Sequence, residues 1–341
     1  MKSAADIRDM LRLIPRECYR TNAAKATGYF IRDFALIVVT VLAMYLLNSW
    51  WATPLAILLG SFLTSFFILG HDAGHRSFCR SRRHNNCVGH LTTSLVLWPF
   101  HIWRLSHNVH HRHTHHVDKE IAWRPETCHA FCNLSRFRKL MYRAYRTYGA
   151  MQASVIFAAS AIRRYIGGKG LTRTEHREAL FSVAVTLVIA TAYVGLAYVV
   201  SGWYGLVTMF LIPQLVFHFW LSLFTLLHHT TPDTHFLSAA DWTREKASLA
   251  RTIHVVYPGW VDSMSHDISW HVPHHVCPAI PHYNLRRAYA SLRSAYSDQI
   301  VEKTFSISYL MEVLRCCHLI DGPDPEWVRF RDAGNSIGPV E

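Results

Sequence analysis

The 341 residues are 50% hydrophobic and only 17% charged, against about 25% charged in an ordinary globular domain. That composition excludes disorder and fibrous repeats. The net charge of +12 is distributed in a way that points to a membrane rather than to nucleic acid. Residues 34–70 and 179–232 contain no Asp, Glu, Lys or Arg. A bilayer core of about 30 Å takes about 20 helical residues, so each run is long enough for two crossings. The sequence reads as an all-α integral membrane protein.

In chain order, residues 1–32 form an amphipathic N-terminal segment. Met10, Leu11, Leu13 and Ile14 alternate there with Arg8, Arg12, Arg16, Arg20 and Lys25, without the compact apolar core of a signal peptide. Residues 33–70 form a first transmembrane hairpin, with helices predicted over 33–48 and 53–70. The turn falls at Asn48-Ser-Trp-Trp-Ala-Thr-Pro54. Residues 71–178 are polar and hold two histidine clusters. Within them, 87–103 read as interfacial or re-entrant. Thr147–Ile162 is too short to cross and reads as a helix along the headgroups, anchored by Arg146 and Arg163-Arg164. Residues 179–229 form a second hairpin, with helices predicted over 180–200 and 205–228 and a turn near Ser201-Gly-Trp203. Pro213 in the fourth helix frees a carbonyl that a neighbour must satisfy. Residues 230–341 carry a third histidine cluster and the tail. No repeat or linker divides the chain, so 1–341 is one membrane-embedded domain.

Seven Lys and Arg precede the first run, 18 lie between the runs and 10 follow the second, with none in the two opposite loops. The positive-inside rule then puts the N-terminus, the middle region and the C-terminus on the cytoplasmic side. The eight cysteines form no CxxC pair and read as reduced thiols.

The 24 histidines are the second anomaly. His71-Asp-Ala-Gly-His75 follows the second predicted span. His107-Asn-Val-His110-His111 lies in the middle region, and His271-Val-Pro-His274-His275 follows the fourth span. Residues three and four apart share a helix face, so each cluster aims its rings at one point. Imidazole suits iron, zinc, copper and nickel, and eight rings exceed what one ion uses. Two metal ions are the economical reading. His228-His229 closes the fourth span, and one of the pair is a candidate ninth ligand. His113, His115 and His116 lie off the cluster's face and read as solvated or supporting residues. His218, inside the fourth span, reads as one end of a helix-to-helix hydrogen bond. Asp72 and Asp267 are placed to accept the second ring N–H of a ligating histidine.

Together GHDAGHRSF (70–78), WRLSHNVHHRHTHH (103–116) and WHVPHHVCPAIPHYNLRRA (270–288) resemble the membrane fatty acid desaturases, closest to the acyl-lipid omega-6 (delta-12) and omega-3 branch. The resemblance implies four transmembrane helices in two hairpins under a cytosolic helical cap, which holds a His-rich di-metal site of two non-haem iron ions. It maps the ligands onto His71, His75, His107, His110, His111, His271, His274 and His275, with His229 of Leu227-His228-His229-Thr230 as the further one. It implies a dioxygen-dependent enzyme that puts a cis double bond into a fatty acyl lipid. No haem-loop or Rossmann motif occurs, so electrons come from ferredoxin or another small carrier protein. A hydroxylase or acetylenase would share this scaffold. From another class, an intramembrane metalloprotease would read His71-Asp-Ala-Gly-His75 as a variant of HExxH. A metal transporter would need ionisable groups along the bilayer midplane, where only His218 lies.

Overall fold

The computed structural model describes residues 6–334 and is built mainly of helices. α1 (Ile7–Leu13) is capped by Asp6, and α2 (Ala23–Leu47) by Asn22, whose side chain accepts from the Lys25 N–H. α2 ends at Asn48, a left-handed residue at φ 36°. The turn Trp50–Ala52 then leads to α3 (Thr53–Gly74), which has Pro54 in its first turn. α4 (Arg82–Ser94) and α5 (Phe100–His113) follow, then the short α6 (Cys128–Cys132), α7 (Arg136–Arg146) and α8 (Ala153–Ile166).

α9 is assigned over Arg173–Gly205, but Ser201 and Gly202 leave helical geometry, Gly202 at φ 58°, and the chain doubles back there. A π-helical turn, Leu206–Leu211, continues into α10 (Ile212–His229). Beyond it lie α11 (Arg244–Ala250), α12 (Gly259–Met264), α13 (His271–Val276), α14 (Leu285–Tyr296) and α15 (Ile307–Cys316). Among the described residues five short strands brace the helices. β1 (Glu126–Thr127), β4 (Leu319–Asp321) and β5 (Glu326–Val328) make one sheet, while β2 (Ile253–Val256) pairs in parallel with β3 (Val301–Thr304).

The two long hairpins share a common end. Tyr204 donates its hydroxyl to the Ser49 carbonyl at 2.8 Å, and the Trp50 and Tyr204 rings meet edge-on at 5.3 Å. Within the second hairpin the Tyr193 hydroxyl donates to the Met209 carbonyl. That carbonyl is the one Pro213, four residues on, cannot serve, so a neighbouring helix re-satisfies it. α3 is the central helix. A Cβ at Gly60 would come within 2.5 Å of Val216, so only glycine allows α3 and α10 to approach this closely.

Among the described residues three segments are long and apolar enough to cross a membrane: Ala23–Leu47, Trp50–Gly74 and Arg173–His229, the last containing the break at Ser201-Gly202. Val39, Leu46, Val188 and Val199 are exposed on them, as bilayer-facing side chains would be. The helices begin earlier than charge alone predicts, at 23 instead of 33 and at 173 instead of 180. Asp33 is fully buried, held by Arg32 and by His266 Nε2 at 2.6 Å. Thr172 and Glu175 form a reciprocal capping box that starts α9.

The apolar segment after Arg146 packs along α10. Its turn Tyr148–Gln152 and α8 pack against α10: the Gln152 side chain donates to the Leu215 carbonyl, and the Ser154 N–H donates to Ser222 Oγ. Leu215 is roughly 20 Å along α10 from His229. The segment therefore runs down beside α10 and returns, with Phe157 against Trp98. Its hydrogen-bonding side chains draw it there. His218 takes part as expected, its Nδ1 lying 2.8 Å from Ser154 Oγ. None of the eight cysteines is in a disulfide.

Candidate metal centre

The three histidine clusters meet where α3, α5, α10 and α13 converge, at the end of the hairpins opposite the Ser49–Tyr204 contact. His71 lies in the last turn of α3 and His75 caps it; His107, His110 and His111 stand on α5; His229 ends α10; and α13 carries His271, His274 and His275. They sort into two groups. His71, His75, His107, His111 and His274 bring one ring nitrogen each within 4.8 Å of one another, as do His110, His229 and His275. His271 joins the second group, its Nε2 lying 3.0 Å from Nε2 of both His229 and His275. The groups abut, with the His111 and His275 rings stacked at 4.3 Å.

The proton positions test whether these rings fit a cation. His110 Nδ1 lies 3.0 Å from the Glu120 carboxylate, and His271 Nδ1 lies 3.2 Å from the Ile268 carbonyl. Both partners accept only, so each Nδ1 carries the proton. Thr114 spends its hydroxyl proton on the His110 carbonyl, so its oxygen accepts from His275 Nδ1 at 3.2 Å. The Nε2 atoms of His110, His271 and His275 are therefore bare lone pairs. Those of His110 and His271 lie 3.2 and 3.0 Å from His229 Nε2, and that of His275 lies 3.0 Å from His271 Nε2. Lone pairs crowded this closely repel unless a cation lies among them, and about 3 Å is the spacing of nitrogens each about 2.1 Å from one ion. In the first group His111 Nε2 lies 3.1 Å from His107 Nε2 and 3.0 Å from His274 Nε2. Its His75 Nε2 is buried without a hydrogen-bond partner. The arrangement fits metal.

Burial, then the repulsion of neighbouring rings, holds His75, His107, His111, His271, His274 and His275 well below the ordinary imidazole range. They stay neutral, which is the form that binds metal.

Several supporting residues differ from the sequence expectation. Asp72 turns its carboxylate mainly to His282, accepting from its N–H and from Nδ1 at 2.9 Å, and reaches His71 Nδ1 only at 3.6 Å. This carboxylate thus stands on the Nδ1 side of His71 with its stronger bonds made to His282. Asp267 does not serve a ligating histidine: it pairs with Arg286, 2.8 Å from Nε, on a left-handed backbone (φ 57°). The role expected of Asp267 belongs to Glu120, which the sequence reading passed over. Glu120 is buried and accepts from four donors: His110 and the N–H groups of His115, Ile121 and Ala122. The only sequence signal for it is an acid ten residues after His110. Of the trailing histidines, His115 is buried and donates Nε2 to the His229 carbonyl, whereas His113 and His116 flank Trp242. His228 stays outside both groups, its ring 4.5 Å from that of His271.

Beside the rings runs a narrow, mostly apolar cavity of about 90 Å³, walled by Phe67, Trp98, Trp103, Phe157 and Phe224 and reaching His71, His107, His110, His229 and His271. Trp103 stacks on His107 at 4.6 Å.

The sequence model of the fatty acid desaturases matches residues 48–305. The chain belongs to the fatty acid desaturase family. Its relatives include an sn-1 oleoyl-lipid 12-desaturase of Picosynechococcus sp., 39% identical over 92% of this chain and 90% of that one. A protein of the same name from Synechocystis sp. is 36% identical over 92% and 89%. An sn-1 acyl-lipid omega-3 desaturase (ferredoxin) from the same genus is 32% identical over 92% and 88%. The desaturase is thus an oxidoreductase of the omega-6 acyl-lipid branch. Its apolar helices suit a membrane, and its histidine groups are compatible with a metal site.

Proposed function

We propose that this desaturase forms a cis double bond at the delta-12 position of an acyl lipid, using dioxygen and a pair of non-haem irons. His71, His75, His107, His111 and His274 would hold one iron; His110, His229, His271 and His275 would hold the other. The observation that carries this reading is the convergence of ring nitrogens from separate helices on two adjoining points, with bare Nε2 lone pairs crowded together at one of them. When bound, the iron pair supplies the oxidising power to remove hydrogens from an unactivated methylene, which no side chain can do.

The chain's own residues do the rest. Glu120, Thr114 and the Ile268 carbonyl fix the ring orientations of His110, His275 and His271. Trp98, Trp103, Phe157 and Phe224 line a slot that excludes water and holds an alkyl chain against the histidines.

The long segments cross the bilayer as two hairpins, with the histidine end and both termini in the cytoplasm. The all-basic placement of Lys and Arg at that end supports this orientation. Electrons come from a small acidic carrier such as ferredoxin, because the chain has no haem-loop or dinucleotide motif.

Expression in a host lacking polyunsaturated lipids, with mass-spectrometric location of double bonds, tests the reading. New delta-12 unsaturation in oleoyl chains is expected. An unchanged lipid profile, with iron-loaded, inserted protein and supplied reductant, would overturn it.

A further inference from the structure

The apolar cavity has a polar neighbour. An open groove of about 700 Å³ lies between the loop after α5 and the returning end of α8, and it shares two walls, Tyr145 and Phe157, with the cavity. Lys119, Arg124 and Arg164 line it and are exposed. Among the described residues none of the three is ion-paired. Arg124 instead donates to the Asp118 carbonyl, and Arg164 lies over the Tyr165 ring. His113 adds an Nδ1 without a partner. The groove's acids are Asp118, which is exposed, and Glu120, whose carboxylate is turned inward onto His110. The groove that adjoins the apolar slot thus carries three unneutralised cations against one free carboxylate.

We propose that this groove holds the anionic head, a phosphate or its sulfonate equivalent, of a diacyl lipid whose oleoyl tail passes between Tyr145 and Phe157 into the cavity. The proposal rests on the reading of that cavity as the acyl site, and it names the substrate class as anionic lipid. Arg and Lys at a mouth bind such a head by charge-assisted hydrogen bonds, while the alkyl chain is held by burial alone. An acyl-CoA thioester offers the same phosphate chemistry, and the experiment separates the two.

Iron-loaded enzyme with a supplied reductant is assayed on oleoyl-phosphatidylglycerol, on an oleoyl galactolipid with a neutral head, and on oleoyl-CoA. The wild type should favour the anionic over the neutral lipid by about tenfold in kcat/KM, and the triple variant Lys119→Ala/Arg124→Ala/Arg164→Ala should lose that ratio. Arg83→Ala, an exposed cation on α4 away from the groove, should keep it. An equal ratio in wild type and triple variant, or conversion of the thioester alone, overturns the proposal. A binding titration keeps it decidable if the triple variant is poorly active or if no substrate is turned over. Tryptophan quenching by brominated phosphatidylglycerol should then be about tenfold weaker in the triple variant, and equal quenching overturns the proposal. Failure of turnover by the wild type with this binding difference intact would count against the desaturation reading only.

Discussion

His110 and Glu120 form a buried pair in which the ring Nδ1 lies 3.0 Å from the carboxylate, leaving Nε2 bare and 3.2 Å from His229 Nε2. The loop after α5 thereby fixes the tautomer of a ring on α5. Glu120→Gln keeps the shape but can place an amide N–H where the acceptor was. Iron affinity should fall about 10- to 100-fold, the usual cost of losing such a partner. Iron per chain, measured after dialysis against a graded chelator, checks this, and membrane insertion should be unchanged.

Gly74 sits where a Cβ would come within 2.4 Å of the Trp103 ring, which in turn stacks on His107 at 4.6 Å. Gly74→Val should displace Trp103 and lower activity more than tenfold. Gly28 on α2 faces open space, and Gly28→Ala should raise stability by up to about 1 kcal/mol by removing helix entropy. Parallel activity and thermal-unfolding measurements on the two variants should move in opposite directions.

Acid should loosen the fold before carboxylates titrate. Burial lowers His115 to about 4, and burial, then the Arg104 charge, lowers His101 to about 3. In the unfolded chain both protonate near 6.5, so below that pH the unfolded state binds more protons. Stability is full above about pH 6.5 and declines as pH falls toward 4. Thermal unfolding in detergent should be flat from pH 8 to 7 and drop clearly by pH 5. A flat profile through that range would show these rings to be already charged in the native state.

The Ser154–His218 bond pins the returning segment to α10, 2.8 Å from oxygen to nitrogen and buried. Ser154→Ala strands the imidazole and should cost about 1–3 kcal/mol. The check is unfolding midpoint at constant iron content, which the substitution should leave unaltered because His218 lies outside both histidine groups.

Much of this was legible in the sequence because charge-free runs of sufficient length mark the long apolar hairpins, and turn residues such as Asn48 and Gly202 mark their tips. The histidine clusters were legible because i, i+3 and i, i+4 spacing fixes a helix face. Helix starts were misjudged at 33 and 180, since helices continue into the charged flanks when a buried pair such as Asp33–His266 or a capping box at Thr172 supports them. Glu120 was missed and Asp267 misassigned for one reason. Loop carboxylates have no periodicity, and their partners, as Arg286 for Asp267, come from elsewhere in the chain. The path of the segment after Arg146 depended on Gln152 and Ser154 finding partners on α10, which only the folded chain shows.

The central claim is that imidazoles from four helices grip two irons at adjoining points. Metal content per chain, by mass spectrometry on protein purified from iron-supplemented cells, tests it most directly when wild type is compared with His274→Ala, His275→Ala and the exposed His84→Ala. The account predicts about two irons in wild type and His84→Ala, and clearly fewer in each of the other two variants. A single zinc per chain, or iron content indifferent to His274 and His275, would contradict it.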